Sequence, residues 1–155
     1  MTEIERKFLI TSEKFIDQSH TKYEIAQGYL NSNPERTVRI RIRDKQGFIT
    51  VKGKSTQDGT TRFEWEKEID YNEAQQLLLL CEDYIISKTR YLVTCGQHTF
   101  EIDIFHGDNK GLIIAEIELS DANEKFEKPE WLGEEITSQK QYYNSYIATT
   151  PFKNW

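Results

Sequence analysis

The sequence opens with Met1-Thr-Glu-Ile-Glu-Arg-Lys-Phe-Leu-Ile10, and the interpretation of the rest of the chain depends on this stretch. As a β-strand, it places Glu3, Glu5 and Lys7 on one face and Phe8 with its apolar neighbours on the other. Successive side chains on the polar face are then spaced by roughly 6.6 Å. Two carboxylates and an ammonium in such a row suit a divalent cation held beside an anion. They equally suit a solvated edge strand, so the other strands must decide between a ligand site and a solvated face.

Composition restricts the class of protein. The chain has 155 residues, and we expect residues 1–155 to form a single domain with a substantial core. Its formal net charge is −6, which argues against nucleic acid as a partner because phosphate affinity comes mainly from Lys and Arg. The three histidines lack the spacing of zinc ligands.

The cysteines and apolar runs indicate the compartment. Cys81 and Cys95 form no CxxC pair, which favours buried, reduced thiols in the cytoplasm. The first strand starts at residue 2, which leaves no room for a signal peptide. No apolar run approaches the ~20 residues that cross a bilayer. We therefore expect a cytoplasmic protein with no membrane partner, while its oligomeric state, a homodimer included, stays open.

Alternation, caps and turn residues predict the other elements. Further strands are predicted over Tyr23–Leu30, Thr37–Asp44, Phe48–Lys54, Arg62–Ile69, Ile85–Thr94, His98–Phe105 and Leu112–Ser120. Helices are predicted over Thr11–Asp17, Asp70–Glu82 and Ser138–Ala148. In the second of these, Asp70 is the predicted N-cap, and Leu77, Leu78 and Cys81 are predicted to face the core. The predicted fold class is α+β, mainly antiparallel.

Charged residues of both signs fill one face of nearly every predicted strand. They are Glu3, Glu5, Lys7, Arg39, Arg41, Lys52, Lys54, Arg62, Glu64, Lys88, Arg90, Glu101, Asp103, Glu116 and Glu118. An ordinary sheet with one face in water alternates too, but usually with more Ser, Thr and Gln. About eight strands suffice to close a barrel around one small ligand. A barrel that is charged inside and apolar outside, with helices covering it, predicts a charged ligand.

The basic rows have the chemistry of a phosphate site. Arg39 and Arg41 share a face with Lys52 of the neighbouring strand, and Lys88 with Arg90 repeats the arrangement. Arginine offers a fixed fork of donors for phosphate oxygens, and lysine adds a mobile point charge. A solvated cationic face is an equally good interpretation of this hairpin alone.

The acidic rows have the chemistry of a magnesium site. Glu116 and Glu118 repeat the arrangement of Glu3 and Glu5. Mg²⁺ usually takes one or two carboxylates together with substrate phosphates and water. A single such row is most often a solvated strand face, but several rows of both signs favour an anionic ligand with a metal. No nucleophilic constellation or glycine-rich phosphate loop is present, so catalysis is expected to be metal-assisted attack by water.

A series of motifs runs in order along nearly the whole chain. They are Glu3-Ile-Glu-Arg-Lys7, Gln27-Gly-Tyr-Leu30, Val38-Arg-Ile-Arg41, Thr50-Val-Lys-Gly53, Arg62-Phe-Glu-Trp-Glu66, Lys88-Thr-Arg-Tyr91, Glu101-Ile-Asp103, Ala115-Glu-Ile-Glu-Leu119, Trp131-Leu-Gly-Glu-Glu-Ile-Thr137 and Tyr143-Asn144. With these motifs the chain resembles the CYTH superfamily, the triphosphate tunnel metalloenzymes. The resemblance implies a closed antiparallel eight-stranded β-barrel whose tunnel binds triphosphate, with helices packed outside.

The resemblance also implies site residues and a cofactor. Phosphate-binding residues would be Lys7, Arg39, Arg41, Lys52, Arg62, Lys88 and Arg90, with Arg43 and Lys54 extending the basic rows. Glu3, Glu5, Glu116 and Glu118 would hold Mg²⁺ or Mn²⁺, with Glu101 and Asp103 nearby. The residues expected at the chemistry are Glu3, Glu5, Lys7 and Tyr29, and Lys7 is expected to orient the substrate rather than act as a base.

The expected activity is hydrolysis of inorganic triphosphate to pyrophosphate and phosphate, as in the short bacterial members that the chain resembles. The first alternative is an enzyme of the same superfamily that hydrolyses nucleoside or thiamine triphosphate or cyclises ATP. The second is a non-catalytic polyphosphate-binding module, which retention of four metal-site glutamates disfavours.

Overall fold

The computed structural model describes all 155 residues and contains nine strands and three short α-helices. The strands are β1 Thr2–Ile10, β2 Thr21–Asn31, β3 Arg36–Arg43, β4 Gln46–Gly53, β5 Thr61–Ile69, β6 Ile86–Cys95, β7 His98–Phe105, β8 Ile113–Glu118 and β9 Leu132–Glu135. The helices are α1 Phe15–Gln18, α2 Tyr71–Leu78 and α3 Asn144–Ile147. Short 3₁₀ turns cover Gly107–Asn109, Lys140–Tyr142 and Phe152–Asn154.

Eight of the strands close into an antiparallel barrel. Its order is β5-β4-β3-β2-β6-β7-β8-β1, and a β1–β5 pairing joins the two ends. That seam consists of the pairs Thr2 with Phe63, Glu3 with Arg62 and Ile4 with Thr61. The predicted closed eight-stranded barrel is therefore confirmed. The additional strand β9, which was not predicted, pairs with the remaining length of the same edge of β1.

An apolar outer face packs on one side of the barrel. Phe8, Phe100 and Ile117 belong to a buried cluster that Phe15 of α1 and Trp131 cover. The Trp131 ring meets Phe15 and Phe100 edge-on, with centroids 5.8 and 5.4 Å away. Its Nε1 donates to Gln18 Oε1 at 2.9 Å. The predicted apolar exterior under helices is confirmed on this side.

Trp131→Ala should lower the free energy of unfolding by about 3–5 kcal/mol, because it removes a fully buried indole from this cluster. Urea denaturation measures the change. Trp155→Ala is the matched control, since Trp155 is 44% exposed and its loss should cost less. Equal losses in the two variants would contradict the central role of Trp131.

Helix α2 packs against β4 through a glycine. A Cβ on Gly47 would lie 2.5 Å from Ala74 Cβ, so only glycine lets the helix approach this closely. Asp70 accepts hydrogen bonds from Asn72 N and Glu73 N at 3.0 and 3.2 Å, which confirms the predicted N-cap. Ala74 is the buried residue of the helix.

Two predicted helix boundaries are wrong. Helix α2 ends at Leu78 rather than Glu82, because Glu82 N donates to Tyr29 O at 2.7 Å and the chain turns back towards β2. The expected core residues Leu77 and Leu78 are only half-buried. Helix α1 begins at Phe15 rather than Thr11 and has no side-chain cap.

No helix is long and apolar enough to cross a membrane.

The two cysteines are free thiols, as predicted, but each is half-buried rather than fully buried. Cys81 Sγ donates to Leu77 O at 3.6 Å. Cys95 lies at the end of β6 beside Glu127. Neither thiol contacts the inside of the barrel.

The carboxyl-terminal segment packs at one end of the barrel. Ile147 of α3 and Ile136 pack against Tyr29, Phe105 and Ile114 in a second buried cluster. The predicted continuous helix over Ser138–Ala148 is wrong, because Tyr143 is extended (ψ 137°) between a 3₁₀ turn and α3. This break lets the next two residues, Asn144 and Ser145, reach the barrel interior.

Candidate active site

The barrel interior contains a cavity of about 210 Å³ whose wall is almost entirely charged. Eight cations and seven glutamates are among its 18 lining residues. The lining residues are Glu3, Glu5, Lys7, Tyr29, Arg39, Arg41, Arg43, Lys52, Arg62, Glu64, Glu66, Lys88, Arg90, Glu101, Glu116, Glu118, Asn144 and Ser145. Burying so many charged groups together costs free energy unless a bound ligand compensates their charge.

Arg39, Arg41 and Arg43 of β3 form a row, here called the arginine ladder, with N–H donors that have no partner. Arg39 Nη2 donates to Thr50 Oγ1 at 3.0 Å and to Glu66 at 3.3 Å. Arg41 makes no salt bridge, and burial together with Arg39 and Arg90 lowers its pKa to about 9. The Nε atoms of Arg39, Arg41 and Arg43 are all buried without a hydrogen-bond partner. The ladder is therefore prepared for an anion that supplies the missing acceptors.

A buried ion network supports the opposite basic row. Asp103 Oδ1 and Oδ2 accept from Arg90 Nε and Nη2 at 2.7 and 2.8 Å, and Lys88 Nζ lies 2.8 Å from Oδ2. Although burial opposes its charge, Arg90 and Lys88 lower the pKa of Asp103 to about 2. Burial and the cations Arg90 and Arg41 lower the pKa of Lys88.

Asp103 does not line the cavity. Its side chain is 0% exposed, and both of its oxygens are engaged by Arg90 and Lys88. The resemblance had implied a position near the metal. The structure instead places Asp103 behind the wall, where it positions two cations.

Asn144 is a site residue that sequence reasoning did not assign. Its Oδ1 accepts from Lys88 Nζ at 3.0 Å and from Gln27 Nε2 at 2.8 Å. The Tyr143-Asn144 pair was part of the resemblance, but strand alternation cannot find a residue at the start of a short helix. Through Asn144, the carboxyl-terminal segment holds Lys88 at the cavity wall.

Antiparallel register brings the two glutamate rows together. Glu5 lies opposite Glu118, and Lys7 lies opposite Glu116. Lys7 Nζ is 3.3 Å from Glu5 Oε1 and 3.5 Å from Glu116 Oε1. Burial alone would lower the pKa of Lys7, but Glu116 and Glu5 outweigh it and raise that pKa. Lys7 is therefore a charged ammonium clamped between two carboxylates.

A second charge cluster lies at the seam of the barrel. Lys52 Nζ donates to both oxygens of Glu3 at 2.9 and 3.1 Å, and Arg62 Nε donates to Glu3 at 3.4 Å. Despite burial, Lys52 and Arg62 lower the pKa of Glu3 to about 2. Burial and the neighbouring Glu3 raise the pKa of Glu64 to about 7.

The carboxylates fit a divalent cation that binds together with substrate. Glu118 makes no salt bridge, and burial with Glu3, Glu101 and Glu5 raises its pKa. A cation beside Glu118 would relieve this repulsion, and carboxylate oxygen is the donor that Mg²⁺ and Mn²⁺ prefer. No three acidic, cysteine or histidine residues converge into a complete cage. Phosphate oxygens and water would have to supply the remaining ligands.

One tyrosine lines the cavity, and a second lies beside two of its cations. Tyr29 is buried and lines the cavity, as predicted. The ring of Tyr143 lies 5.9 Å from Lys7 Nζ and 5.8 Å from the Arg62 guanidinium carbon. The Tyr143 ring is therefore close to one cation of β1 and one of β5.

The structure brings together all but one of the residues predicted for the site. Those that line the cavity are Glu3, Glu5, Lys7, Tyr29, Arg39, Arg41, Lys52, Arg62, Lys88, Arg90, Glu101, Glu116 and Glu118. Glu66, Asn144 and Ser145 were not predicted at the site; Glu64 was predicted on the charged face but without a role, and Arg43 only as an extension of the basic rows. Glu66 continues the alternation of Arg62 and Glu64, and this is the signal that could have identified it.

The family follows from comparison with known proteins. The CYTH domain family matches residues 1–150. The chain belongs to the CYTH family. This CYTH domain is 42% identical to an inorganic triphosphatase of Acetivibrio thermocellus over 155 residues, 99% of this chain and 97% of that protein. It is 36% identical to an inorganic triphosphatase of Nitrosomonas europaea over 154 residues, 96% and 97% of the two chains.

A solved structure agrees with the barrel of this CYTH domain. The crystal structure of an inorganic triphosphatase superposes with a TM-score of 0.67 at 32% identity, covering 94% of this chain and 97% of that one. The family resemblance and the barrel predicted from the sequence are thus confirmed. Membership of the CYTH family also implies a requirement for a divalent metal.

Proposed function

We propose that this CYTH domain, taken as one unit over residues 1–155, hydrolyses inorganic triphosphate to pyrophosphate and phosphate. The observation that carries the proposal is the small charged cavity with eight cations around an arginine ladder whose Nε atoms lack partners. A compact polyanion satisfies these donors directly. The names of the two curated relatives support the same substrate.

The basic residues would bind and align the phosphate chain. Arg41 and Arg39 face the cavity from β3, and Lys88 with Arg90 faces it from β6. Phosphoryl transfer depends mainly on positioning and charge stabilisation, so fixed cations around the equatorial oxygens supply most of what is needed. Lys7 would orient a phosphate oxygen rather than remove a proton, because two carboxylates hold it as an ammonium.

The glutamates would hold the metal, for which we propose Mg²⁺ or Mn²⁺. Glu5 and Glu118 face each other across β1 and β8, with Glu3 and Glu116 beside them. A bound divalent cation would polarise phosphoryl oxygens and acidify an attacking water. The protein would keep these carboxylates ionised and correctly positioned to bind the metal.

The cavity supports an inorganic rather than an organic triphosphate. At about 210 Å³ it is smaller than a typical site for a drug-sized ligand. Tyr29 is the one apolar or aromatic residue in its lining. A nucleobase or thiazole would therefore find no further hydrophobic surface within the cavity itself.

A substrate panel tests the proposal. Inorganic triphosphate, ATP and thiamine triphosphate are assayed side by side for phosphate release, each with Mg²⁺ and with Mn²⁺. We expect the highest kcat/KM for inorganic triphosphate and no turnover after chelation of the metal. A preference for ATP or thiamine triphosphate, or binding of triphosphate without turnover, would overturn the proposal.

Glu118→Gln should lower kcat/KM by about 100-fold or more and raise the metal concentration needed for half-maximal rate. This variant removes a metal ligand without leaving a lysine unpaired, because Glu118 makes no salt bridge. Melting temperature should stay level or rise, since repulsion with neighbouring glutamates is relieved. Glu134→Gln, on the exposed part of β9, is the control and should retain wild-type kinetics.

We also propose that the protein acts in the cytoplasm. The support is that Cys81 and Cys95 are both free thiols, as expected in a reducing compartment. Fractionation of the native cells would test this location.

A further inference from the structure

The two ends of the barrel are built from different connections. Antiparallel pairing places the β2–β3 turn and the β4–β5 loop at one end. The β3–β4 and β6–β7 turns lie together at the opposite end, because β6 and β3 both run antiparallel to β2. Each end has its own opening, and the two openings differ in charge.

The first opening, here called the lysine mouth, is a cavity of about 850 Å³ lined by Lys54, Lys140, Arg62 and neutral residues. Arg62 and Ser145 also line the catalytic cavity, so the two spaces share a wall. None of the 14 residues that line the lysine mouth is acidic, although the chain has 26 Asp and Glu residues.

The charge of the lysine mouth is not neutralised by neighbours. Lys54 and Lys140 are exposed, and neither takes part in a salt bridge. The one acid in the β4–β5 loop is Asp58. Its Oδ1 already accepts from the hydroxyls of Thr56 and Thr60 and from Thr60 N. An anion that approaches this end therefore meets unpaired ammonium groups.

The second opening, here called the glutamate mouth, has the opposite character. Its cavity of about 370 Å³ is lined by Leu92, Gln97, His98, Thr99, Glu101 and Glu118, with no lysine or arginine. Glu101 and Glu118 also line the catalytic cavity. Glu124 adds a further carboxylate beside His98. These three carboxylates repel a polyanion at the opening itself.

We propose that the lysine mouth is an anion-binding vestibule through which inorganic triphosphate enters, and that the glutamate mouth excludes it. This rests on the proposed triphosphatase function. Clefts lined by one sign of charge raise the local concentration of an oppositely charged substrate and its association rate by about 10–10³-fold. Lys54 and Lys140 hold the anion before Arg62 passes it to the interior.

The test compares two double variants with the same change in net charge. Lys54→Glu/Lys140→Glu reverses the charge of the lysine mouth. Lys22→Glu/Lys45→Glu makes the same change at the other end, where Lys45 precedes β4 and Lys54 follows it. At low salt, kcat/KM for triphosphate should fall about tenfold or more in the first variant and less than twofold in the second. Near 1 M salt, where the Debye length is ~3 Å, most of the first loss should disappear.

A steric pair tests the route independently. Ser32→Trp narrows the lysine mouth and should lower kcat/KM more than kcat, whereas Gln97→Trp at the glutamate mouth should leave both unchanged. Equal losses in the two charge variants, a salt-independent loss, or a larger effect of Gln97→Trp would overturn the proposal. Failure of the triphosphatase function itself would differ, because wild-type protein would then show no turnover.

Discussion

Asp103→Ala should lower the free energy of unfolding by about 3–5 kcal/mol, because it leaves Arg90 and Lys88 buried without their shared carboxylate. A domain is typically stable by about 5–15 kcal/mol, so this single change would make the fold marginal. Urea denaturation, followed by circular dichroism, measures the loss. Triphosphatase activity should fall as well, since neither cation is then held towards the cavity.

Glu101→Gln is the matched control for the Asp103→Ala variant. Glu101 also contacts Arg90, with Oε2 2.9 Å from Nη1, and it lies two residues away on the same strand. Its side chain is 39% exposed, so solvent screens the pair and its loss should cost less than about 1 kcal/mol. If the two variants lost similar free energies of unfolding, the burial of a carboxylate would not determine how much its ion pair with Arg90 stabilises the fold.

Arg41→Met should abolish most activity while the protein becomes more stable. Two charge-assisted hydrogen bonds to phosphate contribute about 1.5–3 kcal/mol each, so kcat/KM should fall about 10²–10⁴-fold. Arg41 has no carboxylate partner, and burial beside Arg39 and Arg90 lowers its pKa to about 9. Replacing such a cation by an apolar side chain of similar length should raise the free energy of unfolding by about 1 kcal/mol or more.

Arg36→Met provides the comparison on the same strand. Arg36 begins β3, and its side chain is 67% exposed. Both kinetics and melting temperature should stay at wild-type values in this variant. If Arg41→Met were destabilised or retained activity, the ladder would be a structural feature rather than a substrate site.

Alternation predicted most of the interior because inward and outward positions repeat every second residue on a strand. Arg39, Arg41 and Lys52 were placed correctly for this reason. Alternation gives the face of a strand but neither its tilt nor its depth in the barrel. Asp103 was therefore placed on the correct face, while its position behind the wall could not be foreseen.

The carboxyl-terminal region was predicted least well. Tyr142, Tyr146 and Ile147 have helical spacing, yet the chain is extended at Tyr143. The Tyr143 ring lies near Lys7 and Arg62, which are distant in sequence and therefore contribute nothing to the local helical pattern. Strand β9 was missed because Leu132-Gly-Glu-Glu135 contains no β-branched residue and alternates poorly.

The pairing of β1 with the distant strand β8 determines when a newly made chain can be active. Strand β1 pairs with Thr61–Phe63, with residues 115–118 and with Leu132 and Glu135, all of which follow it in the chain. Contacts between such distant segments form slowly, because loop closure must precede them. Glu3 and Glu5 meet Glu116 and Glu118 only once most of the chain has been synthesised. Until β8 has been made, the chain therefore lacks its catalytic centre, and Glu5–Phe8 of β1 lack their β8 partners.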